Sequence, residues 1–112
     1  MIADDDVLHR RLAPMMVKRD GTVSSVAYVK NGQPDNEISV DLAWRTTTTQ
    51  TLLSRPSFGI GAITARVPRS LGFEVTHDPL PDNPAHALIR GQSSKEKCRI
   101  LASETRVVIH PR

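Results

Sequence analysis

The chain has 112 residues, 38% of them hydrophobic and 24% charged, which suits one small domain spanning 1–112 and is too short for two ordinary ones. Fifteen basic residues against 12 acidic ones leave a net charge of +3, a mild excess without a dominating field of one sign. A lone cysteine, Cys98, excludes an internal disulfide and any Cys-x-x-Cys or Cys/His zinc pattern, and no apolar run approaches membrane-spanning length.

From the N-terminus, Asp4-Asp5-Asp6 is opposite in character to the basic, apolar start of a signal peptide. With the single cysteine, it leads to the expectation of a soluble, cytoplasmic protein. The three acids before Val7, with Leu12 four residues after Leu8, predict a short helix whose acidic start and Arg10-Arg11 end suit the helix dipole. Asp20-Gly21 is a turn signal, and the β-branched run over 22–29 predicts a strand. After a polar loop from Asn31 to Asn36, Ile38, Val40 and Leu42 alternate with polar residues in the period of a half-buried strand, and the two strands are expected to form a hairpin. Trp44, one of only four aromatic residues with Tyr28, Phe58 and Phe73, is expected to anchor the packing.

Four consecutive threonines, 46–49, predict a helix cap followed by one or two turns that end at Pro56. Residues 59–67 are expected to be a strand, with the glycines permitting close packing or a bulge, and 68–72 a helical turn closed by Gly72. Residues 73–77 and 85–90 predict strands on either side of a proline loop. Ser93 and Glu96 have the spacing of a capping box, and Cys98, Leu101 and Ala102 mark the inner face of the helix that follows. Val107-Val108-Ile109 predicts a last strand or a packed tail. The expected fold is α+β, with a small mixed or antiparallel sheet of about five strands (the segments at Thr22, Glu37, Gly59, Phe73 and Ala85) and helices near Asp4, Thr48 and Ser93.

The proline loop carries the chemistry. Pro79, Pro81 and Pro84 restrict Asp78, Leu80 and Asn83, so that ionisable groups are held in place on a scaffold. The loop Asp78-Pro79-Leu80-Pro81-Asp82-Asn83-Pro84-Ala85-His86-Ala87 resembles that of small bacterial proteins. So do Leu8-His9-Arg10-Arg11, Ser24-Ser25-Val26-Ala27-Tyr28, Ser39-Val40-Asp41 and Gly59-Ile60-Gly61-Ala62. No activity is attached to those proteins, so the resemblance implies a bacterial, cytosolic origin and no catalytic roles.

Two histidines and two carboxylates in one loop region suit general acid/base chemistry, with His86 as base and Asp82 or Asp78 orienting it. Arg10, Arg11, His77, Asn83 and Arg90 are the candidate binding residues, the arginines as holders of phosphate or carboxylate. The structural alternative is that Asp82 and Asn83 cap the turn and His86 is a hydrogen-bonded strand residue. His77-Asp78 precedes a proline in an extended loop, unlike the helical His-Asp pair of metal-dependent phosphohydrolases, and Gly59-Ile60-Gly61 lacks the third glycine and the lysine of a phosphate loop. No metal or cofactor is therefore expected.

Ser24, Ser25 and Ser39 qualify as nucleophiles only if they lie against His86, and Cys98 only if exposed. The early basic residues His9, Arg10, Arg11, Lys18 and Arg19, if joined by Arg66, Arg69 or Arg90, would suit nucleic acid, with His86 and His9 as the acid and base of a metal-independent ribonuclease. Against that stand the scarcity of aromatics and the lack of an RNA-binding signature. Two functions follow as expectations. The favoured one is a small cytosolic binding or regulatory module acting through a protein partner, with the proline loop and neighbouring arginines as its surface; the alternative is a small hydrolase or nuclease acting on a phosphate-bearing substrate through a His/Asp pair.

Overall fold

A computed structural model describes residues 1–52 and 55–112. Six strands form one antiparallel sheet: β1 (Val7–Leu12), β4 (Glu37–Leu42), β5 (Gly59–Thr64), β6 (Glu74–His77), β7 (His86–Arg90) and β8 (Arg106–Ile109). Their order is β6-β7-β4-β1-β5-β8, and the short strands β2 (Val29–Lys30) and β3 (Gln33–Pro34) make a separate ribbon. Three α-helices accompany them among the described residues: α1 (Thr48–Leu52), α2 (Arg66–Ser70) and α3 (Lys95–Ser103). The α+β class holds, with one more strand in the main sheet than expected.

Residues 7–12 form a strand rather than the expected helix. Leu8 and Leu12 are four apart, a spacing that serves one face of a helix and the even positions of a strand equally well. Tertiary pairing decides it, because β1 lies between β4 and β5 with Leu8 opposite both Leu42 and Ile63. The acidic run does not cap a helix. Asp5 pairs with Arg66 at 2.8 Å and Asp4 with Arg69 at 2.7 Å, tying the N-terminus to α2.

The strand expected over 22–29 is also replaced. The Ser24 hydroxyl accepts from the Val26 N–H at 3.3 Å and starts a 3-10 turn over Ser25–Tyr28, leaving only Val29 and Lys30 extended. The expected hairpin with β4 is therefore absent, and β2 turns back on β3 through Asn31 and Gly32, both at positive φ. Tyr28, fully buried, is the packing anchor, whereas Trp44 is 60% exposed on a 3-10 turn. The Tyr28 and Thr105 hydroxyls are 2.7 Å apart, and Thr105 donates in turn to the Leu101 carbonyl at 2.6 Å.

One face of the sheet packs Leu8, Leu12, Ile38, Val40, Leu42, Ile63, Ala87 and Ile89 against Tyr28 and the Cys98, Leu101 and Ala102 face of α3. Cys98 is buried, as its place on that helix requires. The cap of α3 is Ser94, whose Oγ accepts from the Lys97 N–H at 3.1 Å. Ser93, the expected cap, instead donates its N–H to Asn36 Oδ1 at 2.8 Å. Thr47 caps α1 in a reciprocal box with Gln50, each backbone N–H donating to the other's side chain at 3.1 Å. The expected continuation of that helix toward Pro56 includes 53–54, which lie outside the described residues.

The β5–β8 pairing shifts register between Ile60 and Gly61. A Cβ on Gly59 would collide with the Ile109 carbonyl and come within 2.6 Å of the Pro111 nitrogen, so close approach of the chain's C-terminal segment explains this glycine.

Candidate functional site

The opposite face of the sheet carries a polar row. His9 of β1 pairs with Asp41 of β4, and Asp41 pairs with His86 of β7. Residues directly opposed in antiparallel neighbours project from the same face, so the three side chains stand in line across adjacent strands. At about 4.8 Å per strand, the His9 and His86 backbones are roughly 10 Å apart with Asp41 between them. The row floors a cleft of about 700 Å³, whose walls include Arg11, Arg45, Gln50, Leu80 and Asp82.

Asp41 is 8% exposed. Its two carboxylate oxygens accept from opposite walls: Thr51 Oγ1 of α1 at 2.9 Å and Asn83 Nδ2 of the proline loop at 2.8 Å. Such a buried carboxylate is tolerated because each oxygen is paired. It also fastens the helix and the loop to the sheet.

The proline loop is the tip of the β6–β7 hairpin. Leu80 and Asn83 exchange backbone hydrogen bonds of 3.0 Å in both directions, with Pro81 at the second position of the turn where its fixed φ belongs. Asn83 Oδ1 also accepts from the Ala85 N–H at 3.3 Å, so Asn83 both caps the turn and braces Asp41. His86 Nδ1 lies 3.0 Å from the Asp78 carbonyl and 3.1 Å from Asp78 Oδ2. Both partners are acceptors, so Nδ1 carries the proton and Nε2 is the nitrogen left for a ligand. Asp78 therefore orients His86. Asp82 lies exposed at the turn tip and lines the cleft.

His9 differs from His86. Its Nδ1 is shut off from solvent and, among the described residues, is the one buried side-chain polar atom without a hydrogen-bond partner. Burial lowers its pKa from the ordinary 6.5, Asp41 acts in the opposite direction, and Arg106, two strands along the same row, lowers it further. The imidazole is therefore neutral at pH 7, and the side chain lines the cleft.

The arginines separate by role. Arg10 sits in the gap where β1 and β4 stop pairing, and its guanidinium donates to the Ala27 carbonyl at 2.9 and 3.1 Å and to the Ser39 carbonyl at 2.7 Å. It closes the sheet from the core side, 5.9 Å over the Tyr28 ring. Arg90 pairs with Glu37 at 3.0 Å, two residue pairs beyond the end of the cleft, and Arg66 and Arg69 are engaged by Asp5 and Asp4. Arg11 remains at the cleft and is joined there by Arg45. His77 is opposite Ala87, on the other side of the hairpin from His86, and donates from Nε2 to the Pro84 carbonyl at 2.8 Å. The two loop histidines thus do not share a site.

Of the three serines, Ser39 lines the cleft, while Ser24 and Ser25 line a separate hollow with Lys18, Arg99 and Arg106. Among the described residues no three His, Cys, Asp or Glu side chains are grouped to hold a metal ion.

Sequence reasoning named His9, His86, Asp78, Asn83 and Arg11 and passed over Asp41, Thr51 and Arg45. The available signal for Asp41 was its place on the polar phase of the best-patterned strand. Compared with protein-family models, curated proteins and solved structures, the chain finds no match.

Proposed function

We propose that the chain is a small hydrolase or nuclease that cleaves a phosphate ester by general acid/base catalysis in this cleft. The observation that carries the reading is the row itself: two imidazoles on either side of a paired carboxylate, His86 with its Nδ1 held by Asp78 and His9 with a buried Nδ1 that has no partner. His86, its tautomer set by Asp78, takes the proton of the attacking water or hydroxyl through Nε2. His9 in its protonated form delivers a proton to the leaving oxygen. Burial lowers the pKa of His9, so that form is populated only at acidic pH and turnover by this route is favoured below pH 6.5, with the Asp41 carboxylate beside it acting to support the positive charge. Arg11 and Arg45 at the cleft wall hold the phosphate and offset the negative charge of Asp41. Of the arginines expected to hold charge, Arg10 and Arg90 have intramolecular partners.

The partner-binding reading has less support. The large exposed hydrophobics Met1, Met15, Val26, Trp44, Leu80 and Val108 are carried by six separate segments. No helix among the described residues is long and apolar enough to cross a membrane.

The test is turnover of phosphomonoester and phosphodiester substrates by the purified chain, with products identified by mass spectrometry. Replacing His86 or His9 by alanine is expected to slow turnover about 10²–10⁴-fold. Equal rates in the parent and both variants, or no turnover of any phosphate ester, would reject the reading.

A further inference from the structure

We infer that Trp44 and Arg45 form a nucleoside-phosphate subsite at the mouth of the cleft, with a base stacked on the indole and its phosphate led inward by Arg45 and Arg11. The inference rests on the phosphate-ester reading above and names its substrate class.

Trp44 is the chain's one tryptophan and is 60% exposed, while Tyr28 and Phe73 are buried and Phe58 is half-buried. A large flat apolar side chain left in water beside a polar cleft contributes little to packing, and it is the surface on which bases stack. It is also held firmly on both sides. The preceding residue pair, Asp41 and Leu42, is buried in β4, and the following one, Thr46 and Thr47, leads into the boxed cap of α1 through Gln50. The 3-10 turn Ala43–Arg45 therefore presents the indole from two fixed points.

Arg45 links this surface to the site. Its guanidinium carbon stands 5.4 Å from the centroid of the Trp44 ring, and the same side chain lines the cleft. A guanidinium stacked on an aromatic face is oriented by it, with its fork of donors left for the two oxygens of a phosphate. Arg11 lies on the same cleft. A flat stacking surface, a forked phosphate donor next to it and two proton-carrying imidazoles beyond are the parts a nucleoside phosphate requires, and a base-free phosphate would leave the first unused.

Because Trp44 is the sole tryptophan, its emission reports the subsite directly. The full chain is titrated with a nucleoside 3′-monophosphate, a short single-stranded RNA, ribose 5-phosphate and inorganic phosphate, and affinities are measured in parallel by calorimetry. The nucleotide and the RNA are expected to quench the emission saturably and to bind more tightly than the two base-free compounds. Trp44→Leu is expected to weaken nucleotide binding about tenfold and inorganic phosphate binding much less, since the stacking surface is lost while Arg45, deprived only of the ring that orients it, keeps its charge. Arg45→Gln should weaken both. RNA binding well above the mononucleotide would identify a strand as the source of the nucleoside phosphate, and equal affinities a free nucleotide; either supports the subsite. Nucleotide affinity unchanged by Trp44→Leu, or ribose 5-phosphate binding as tightly as the nucleotide, would overturn it. His86→Ala separates the two readings, because it stops turnover and leaves quenching intact. Cleavage without quenching would remove the subsite alone, and quenching without cleavage would remove the catalytic reading alone.

Discussion

The two faces of one sheet are built by opposite rules. On the α3 face the buried polar side chains among the described residues have partners: Tyr28 with Thr105, Thr105 with Leu101, and Arg10 with two backbone carbonyls. Across the same strands, one residue out of phase, lie His9, Asp41 and His86 around a cleft, and there a buried imidazole nitrogen is left without a partner. A strand's period of two lets β1 serve both purposes, with Leu8 and Leu12 in the core and Arg10 bonded to the Ala27 and Ser39 carbonyls, while His9 and Arg11 line the cleft. The lesson is that unsatisfied polarity confined to one face marks the place where stability has been given up, which is where function is sought.

Substitutions can break that contrast. The largest stability loss is expected on the core face: Arg10→Met leaves the Ala27 and Ser39 carbonyls without their donor and should cost about 3 kcal/mol in urea unfolding. On the cleft face Asp41→Ala leaves the Thr51 hydroxyl and the Asn83 amide without their acceptor, and a loss of about 1–2 kcal/mol is expected, together with lower turnover as α1 and the loop come loose. His9→Leu should do the reverse of a core substitution. Removing the unpaired ring nitrogen is expected to raise stability by about 1 kcal/mol while slowing turnover about 10²–10⁴-fold. A stability loss there would mean that His9 is an ordinary packed residue.

The smallest effect sharpens the same point through pH. His9 has a lower pKa folded than unfolded, so below 6.5 the unfolded chain takes up a proton that the native one resists. Its contribution to stability is complete above 6.5 and is lost as pH falls from there through the folded pKa. The prediction is a pH slope below 6.5 that His9→Leu flattens, measured by unfolding at several pH values. The same ring sets the alkaline limb of the rate profile, which should fall away below 6.5.

Much of this was legible where the pattern had a single meaning. β4, β6, β7 and the buried face of α3 follow from alternation and helical spacing, and the proline loop announced itself as a held turn. Residues 7–12 were misread because Leu8 and Leu12 satisfy both periods, and only pairing with β4 and β5 decides between them. Trp44 was expected inside because large aromatics usually pack, yet Tyr28 fills that place from the 3-10 turn started by Ser24. The site was half legible for a related reason. Asp78 and His86 are close in sequence, whereas the alignment of His86 with Asp41 and His9 depends on strand order, which no local pattern encodes.

The most direct test follows the ring signals of the chain's four histidines, His9, His77, His86 and His110, by NMR while inorganic phosphate is added. The account predicts that His9 and His86 shift together with one saturation curve while His77 and His110 stay in place. Shifts at His77 or His110 with none at His9 and His86 would contradict it, because the cleft would then not be where the protein meets its ligand.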